Sequence, residues 1–497
     1  MNDATHPAHD GAPLDLLIRG GTVIDGTGAP RFAADVGVRG DRIVLVGPAG
    51  AAAARRVIDA SGMIVAPGFI DCHTHDDRML LSAPAMAPKV SQGVTTVVTG
   101  NCGISLAPAP DGLPRPTPAP LDLLDVEGDW YRFRDFASYL SALRDAPAAT
   151  NVAPMVGHTT LRVATMTRTD RPADAAEIAR MRALVDEALA AGAVGCSTGL
   201  FYPPANAAPA EEVVEVLAPM REHGGVYCAH MRDEGARVVE SIEETLAIGR
   251  ALGVPAVISH HKVIGMPNYG RSPETLALIG ARMREQAVCL DCYPYDASST
   301  VLNIHRTVLA SKVLITWSRP HPECGGRDLD ELAAEWGVTV DEAVARLLPA
   351  GAVYFSMRED DVQRILAFPD TMVGSDGLPH DATPHPRLWG TFPRVLGHYS
   401  RDLKLFPLEA AVRKMTGLTA RNFGLSDRGE LRAGAFADIV VFDAQTVRDE
   451  ADYAHPMRPA RGIRTVVVNG AAVWDDGAAT GAHPGRVVAR AARAPGE

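Results

Sequence analysis

The chain has 497 residues and a formal net charge of −12, so it is too long for one core and is expected to hold one large domain and a smaller one. The acidic balance leaves no basic surplus to neutralise phosphates, which argues against a nucleic-acid partner. Hydrophobic content of 46% with 22% charged residues is ordinary for a soluble globular protein, and no apolar run is long enough for a transmembrane helix.

Met1 to Pro13 is polar and Ala/Pro-rich, without a basic-then-apolar signal, and reads as a disordered tail. From Leu14 to about Ala60 short alternating runs with Gly-rich turns predict strands, at Leu14–Arg19, Thr22–Ile24, Ala34–Val38 and Arg42–Val46. Gly429–Asp443 and Ile463–Gly470 have the same texture at the far end. A small β-sandwich domain formed from both chain ends, residues 14–66 and 425–490, is therefore expected to bracket the rest.

Between them, eight apolar runs alternate with helical stretches: Phe69-Ile70, Val94–Thr99, Val152–Val156, Ala193–Cys196, Gly225–Cys228, Val254–Ile258, Ala287–Asp291 and Thr371–Val373. Asp174–Ala191, with Asp174 as N-cap, and Ala210–His223 are amphipathic helices by pattern. Eight buried strands alternating with helices predict an α/β fold, a (β/α)8 TIM-type barrel over residues 67–424. Pro108–Pro120 forms a Pro-rich loop. A long insertion at about 294–370, helical at Leu329–Ala334 and Val338–Leu348, has the length of a functional element and is a candidate lid.

In such a barrel the chemistry gathers at the C-terminal ends of the strands. Those ends carry His73 and His75, then Cys102 after Gly100-Asn, then His230, His260 and finally Asp376. Residues i and i+2 of a strand share a face, so His73 and His75 project together. Four imidazoles, a thiol and a carboxylate form a donor set suited to Zn²⁺. Cys102 taken alone would more often be a small buried hydrophobe than a ligand, but its place after a turn-prone Gly-Asn pair at a strand end favours ligation. Of the adjacent His260 and His261 only one can face inward, and His260, nearer the strand end, is preferred. Asp376, beside the metal, is the general acid/base candidate. Cys72, Cys196, Cys228, Cys289 and Cys292 lie in or beside apolar strands and read as packing. Seven scattered cysteines, an odd count, point to free thiols and a cytoplasmic setting.

Ala66-Pro-Gly-Phe-Ile-Asp71 leading into His73-x-His75, Gly374-Ser-Asp376 and Gly434-x-x-Ala-Asp438-Ile-Val-Val-Phe-Asp443 resemble the amidohydrolase superfamily. Within it, Gly100-Asn-Cys-Gly-Ile-Ser105, Gly157-His-Thr-Thr-Leu-Arg162, His230-Met-Arg-Asp-Glu234, Ile258-Ser-His-His-Lys262, Asp291-Cys-Tyr-Pro-Tyr295 and His385-Pro-Arg387 resemble the N-acyl-D-amino-acid deacylases (D-aminoacylases). The likeness runs from about Leu14 to Gly470. It implies a zinc held tightly by Cys102, His230 and His260, and a second, weaker position at His73, His75 and Asp376. It also implies that Lys262, Tyr293 and Arg387 contact the substrate. Many superfamily members bridge two metals with a carbamylated lysine after the fourth strand, but here that strand runs out as Cys196-Ser-Thr-Gly199. A cysteine in the bridging place is expected instead. Cys72 stands where serine is expected and, adjacent to His73, should point away from the metals.

The expected activity is zinc-dependent hydrolysis of linear N-acyl-D-amino acids to a carboxylate and a free D-amino acid. Zinc would lower the pKa of water toward about 7 and polarise the carbonyl. Asp376 would carry the proton, and the planar fork of Arg387 suits the α-carboxylate. The alternatives are a cyclic-amide hydrolase of the dihydroorotase or hydantoinase kind and a catalytically dead scaffold. With no further basic cluster evident, an apolar substrate side chain is favoured. The partner is then the small-molecule N-acyl amino acid, with no membrane involved and no signal for oligomeric state.

Overall fold

A computed structural model of the chain describes residues 13–125 and 127–490. The expected N-terminal tail falls, but for Pro13, outside the described residues.

The eight runs form a ring of parallel strands. In order they are Phe69–Asp71, Val94–Thr99, Asn151–Pro154 continued by Val156–Gly157, Gly195–Gly199, Val226–His230, Ala256–Ile258, Val288–Cys292 and Thr371–Val373. The third strand breaks at Met155, its first half pairing with the second strand and its second half with the fourth. A parallel bridge between Thr74 and Gly377 closes the ring between the first strand and the eighth. The result is a TIM-type barrel of mixed α/β class. Its lumen is filled by Ile70, Val98, Ala153, Val194, Val226, Val257 and Met372, with the buried thiols of Cys72, Cys228 and Cys289 among them. Small and β-branched side chains suit that narrow interior, because alternate strands must interdigitate there.

Local chemistry explains the helices. Ala175–Ala191 opens on a capping box in which Asp174 accepts from the Glu177 amide at 2.8 Å and Glu177 accepts from the Asp174 amide at 2.9 Å. Ala210–His223 is not one helix: it divides into Ala210–Val216 and Met220–His223. Pro219 lies between them; it has no amide to donate and disfavours helical geometry in the residue before it.

Strands from both termini share one sheet. Leu14–Val23 is continuous, with a register shift between Ile18 and Gly21 where the sequence pattern showed a gap. Its neighbour Ile64–Pro67 pairs antiparallel with Ile439–Phe442, which in turn pairs with Ile463–Val468. The insertion holds the two expected helices, at Leu329–Trp336 and Val340–Leu347. It also holds a three-stranded antiparallel sheet, Ser298–Val301, Ala350–Tyr354 and Val313–Ser318, that the pattern did not reveal. The insertion has an apolar cluster of its own, including Leu302, Ile315, Leu332, Leu347 and Tyr354.

A buried polar knot fixes the first strand to the eighth directly beneath the barrel mouth. Lys89 Nζ donates to Asp71 Oδ2 and to Ser375 Oγ, each at 2.8 Å, and Asp71 Oδ1 accepts from the Ser375 amide at 2.8 Å. All three side chains are fully buried, so each polar atom needs the others. Gly374 is required at the same junction: a Cβ there would come within 2.4 Å of the His73 Cβ.

Candidate metal centre

His73 and His75 lie just beyond the first strand, Cys102 beyond the second, His230 at the end of the fifth, and His260 and Asp376 beyond the sixth and eighth. The structure gathers these six side chains into two groups that share Cys102. One is Cys102, His230 and His260; the other is His73, His75, Cys102 and Asp376. In the first, Cys102 Sγ is 3.4 Å from His260 Nε2, which is 2.9 Å from His230 Nδ1. In the second, His73 Nε2 is 3.2 Å from Cys102 Sγ and 3.5 Å from Asp376 Oδ1, and His75 Nε2 is 3.2 Å from the same carboxylate oxygen. Tetrahedral zinc with N and S ligands has donor–donor edges of about 3.4 Å, and these contacts, from 2.9 to 3.5 Å, stand within about half an ångström of that spacing. Donor type and spacing both fit the metal.

Three of the six have left-handed backbone: φ is +55° at Cys102, +37° at His260 and +50° at Asp376. Non-glycine residues enter that region at a cost of order 1 kcal/mol, and the surrounding packing must impose it. This geometry lets a residue beyond the strand end turn its side chain back over the mouth.

Electrostatics separate Cys102 from the other cysteines. Burial alone would raise its thiol, but the His73 and His260 imidazoles outweigh that and hold it well below the usual thiol range. Cys72, Cys196, Cys228, Cys289 and Cys292 are all pushed up by burial. Cys72 turns away from the cluster, donating to the Val373 carbonyl at 3.2 Å. Asp376 behaves in the same way: burial raises it, yet Arg387 and His75 hold its carboxyl well below the ordinary range.

The three expected substrate contacts lie beside the cluster and one another. Arg387 is fully buried, with Nη2 at 2.9 Å from Asp376 Oδ2 and 3.0 Å from the Ser299 carbonyl, while its Nε and Nη1 have no partner. Its guanidinium carbon stands 4.5 Å from the centroid of the Tyr293 ring, whose hydroxyl is likewise unpartnered. Lys262 Nζ lies 5.7 Å from that ring centroid. Buried donors without partners are costly unless a ligand accepts from them, and a carboxylate does so. His261 faces elsewhere, bonding Thr275 Oγ1 at 2.9 Å.

Several neighbours escaped the sequence reading. Asp291 Oδ1 accepts from the His260 amide at 2.9 Å and stands 3.4 Å from His73 Nδ1, linking the two metal groups. Glu234 lies four residues after His230 within a motif already quoted, a spacing that signals it. Arg306 comes from the insertion and lines the same pocket as His75, His230, His260 and Asp376. It is a further basic group beside the site, where the sequence showed no such cluster. The motif residue Arg162 is instead structural: it is fully buried and bonds the Pro204, Thr169 and Arg171 carbonyls and Glu212.

The chain is similar to known proteins over nearly its whole length. The model of the amidohydrolase family matches residues 56–254 and 331–474. The chain is 62% identical over 483 residues to a D-aminoacylase of Alcaligenes xylosoxydans xylosoxydans, covering 97% of this chain and 99% of that one. It is 54% identical over 480 residues to an N-acyl-D-aspartate deacylase of the same organism, covering 96% and 95%. A solved D-aminoacylase, studied for the role of its binuclear metal centre, superposes with a TM-score of 0.94 at 62% identity, over 96% of this chain and 100% of that one. An N-acyl-D-glutamate deacylase from Bordetella bronchiseptica, solved with zinc and a phosphonate mimic of the tetrahedral intermediate, gives 0.92 at 50% identity, over 96% and 100%. Among the described residues no helix is long and apolar enough to cross a membrane.

Proposed function

Because the chain belongs to the amidohydrolase family, and within it to the D-aminoacylases, we propose that the cluster at the barrel mouth is its catalytic centre. The protein is a zinc-dependent deacylase that hydrolyses the amide bond of N-acyl-D-amino acids, releasing a carboxylate and a free D-amino acid. The observation that carries the site assignment is the pair of donor groups meeting at one thiolate, Cys102.

Cys102, His230 and His260 would hold the tight zinc, and His73, His75 and Asp376 would frame a second, weaker position. The metal, when bound, supplies a Lewis acid that polarises the scissile carbonyl and makes water more acidic. Asp376, kept ionised by Arg387 and His75, takes the proton from the attacking water and delivers it to the departing nitrogen. Arg387 and Tyr293 turn their unpartnered donors on the substrate α-carboxylate, and Lys262 adds a third contact and a second positive charge. Fixing that carboxylate orients the amide toward Asp376. The fourth strand, Gly195–Gly199, has no lysine to bridge metals, which disfavours the cyclic-amide reading.

The terminal strands support a small β-sandwich domain over 14–66 and 425–490 around the barrel of 67–424 and its insertion at about 294–370. Buried residues of Leu14–Val23 join two apolar clusters, Leu16, Ile18 and Val23 in one and Leu14 and Leu17 in the other. Seven buried, unpaired cysteines support a cytoplasmic setting.

The test is amine release from paired N-acetyl-D- and N-acetyl-L-methionine and -leucine by zinc-replete protein, with hydantoin ring-opening assayed alongside. We expect release from the D series at least about a hundredfold faster than from the L series, as one misplaced substituent costs a positioned site about that much. Ring-opening without amine release would replace this reading by the cyclic-amide one.

A further inference from the structure

Each histidine of the tight group turns its second nitrogen toward the same buried carboxylate. His260 offers Nε2 to Cys102 and holds Nδ1 at 3.2 Å from Glu234 Oε1. His230 offers Nδ1 to His260 and holds Nε2 at 3.9 Å from Glu234 Oε2. Glu234 is 2% exposed, and two cations complete its surroundings. Lys262 Nζ donates to Oε1, and Arg306 Nη2 donates to Oε2 at 2.9 Å.

Lys262 creates a conflict that Glu234 resolves. Its Nζ is only 2.7 Å from His260 Nδ1. An ammonium can only donate, so with Lys262 as its sole neighbour Nδ1 would become an acceptor and the ring proton would move to Nε2. That is the nitrogen turned to the metal group, and a protonated nitrogen binds no metal. A carboxylate oxygen within reach of both, Glu234 Oε1, accepts from both, leaving the proton on Nδ1 and the lone pair on Nε2.

We propose that Glu234 is a positioning residue: it sets the metal-binding tautomer of His260 against the opposing influence of Lys262, so one site holds both zinc and a lysine for the substrate carboxylate. This rests on reading Cys102, His230 and His260 as the zinc ligands. Arg306 balances the second oxygen, and its guanidinium carbon lies 4.6 Å from the Phe201 ring centroid, which fixes it in place.

The experiment measures zinc affinity of the full-length protein by chelator competition, with a thermal melt on each variant. Glu234→Gln should weaken zinc binding by about 10–100-fold, the range seen when a ligand's hydrogen-bond partner is lost. Adding Lys262→Met to that variant should recover most of the lost affinity, because the opposing donor is gone; a merely structural glutamate would show no such rescue. Lys262→Met alone should bind zinc at least as tightly as wild type while raising KM, and it decides the matter if the glutamine variant does not fold. A folded Glu234→Gln protein with wild-type zinc affinity, a double variant without recovery, or a Lys262→Met protein that binds zinc more weakly would each overturn the proposal. Wild-type protein that takes up no zinc would overturn the ligand assignment beneath it.

Discussion

Replacing Asp376 by asparagine leaves zinc in place and lowers kcat by about three orders of magnitude. Asparagine has nearly the volume of aspartate, so the buried site keeps its shape. The tight group, Cys102, His230 and His260, does not include residue 376, so its zinc should stay. The amide cannot accept the proton of the attacking water, and general acid–base catalysis is typically worth about 10²–10⁴-fold. The variant also loses the charge that faces Arg387 at 2.9 Å, which frees the guanidinium for substrate, so KM should not rise. Steady-state kinetics with metal analysis on the same preparation separates the two effects. A variant within tenfold of the wild-type rate would remove Asp376 from its acid/base role.

Replacing Cys102 by alanine has the larger reach, because both groups of donors contain it. One thiolate stands 3.2 Å from His73 Nε2 and 3.4 Å from His260 Nε2, so its loss opens the tight position and detaches the weaker one together. Zinc affinity should drop by more than the roughly 100-fold expected for an indirect partner, since a bond to the metal itself is lost. Turnover should fall to background at ordinary zinc concentrations. Serine should do little better, since a neutral hydroxyl is a poor substitute for a thiolate on zinc. The fold should survive, because the barrel lumen below is packed by other residues. Stoichiometric zinc and normal turnover in Cys102→Ala would contradict the assignment.

The barrel was legible because its strands are short apolar runs, and strand periodicity leaves few places for a ligand to sit. His73-x-His75 shows its shared face in the sequence itself. Cys102, His260 and Asp376 were legible as residues but not as geometry: each depends on a left-handed turn just beyond a strand. Gly100-Asn before Cys102 hints at such a turn; nothing comparable precedes His260. Arg306 was invisible, since it reaches the pocket only through the packing of the insertion. Lys89, on the short helix Ala87–Val90, is fully buried with its charge answered by Asp71 from another element, a pairing that no local pattern shows. The strands of the insertion were missed for a related reason. Val313–Ser318 mixes apolar and polar residues, with Leu314 and Trp317 half-buried, and takes its register from Ala350–Tyr354 more than thirty residues later. Long-range pairing of that kind leaves little local trace.

The assignment turns on whether the tight metal carries one sulfur ligand, and zinc K-edge absorption spectroscopy of protein loaded with one equivalent of zinc measures that directly. One scatterer is expected at about 2.3 Å, with the remaining ligands at about 2.0–2.1 Å. A shell made only of nitrogen and oxygen would contradict it, placing Cys102 outside the metal centre and the zinc elsewhere in the cluster.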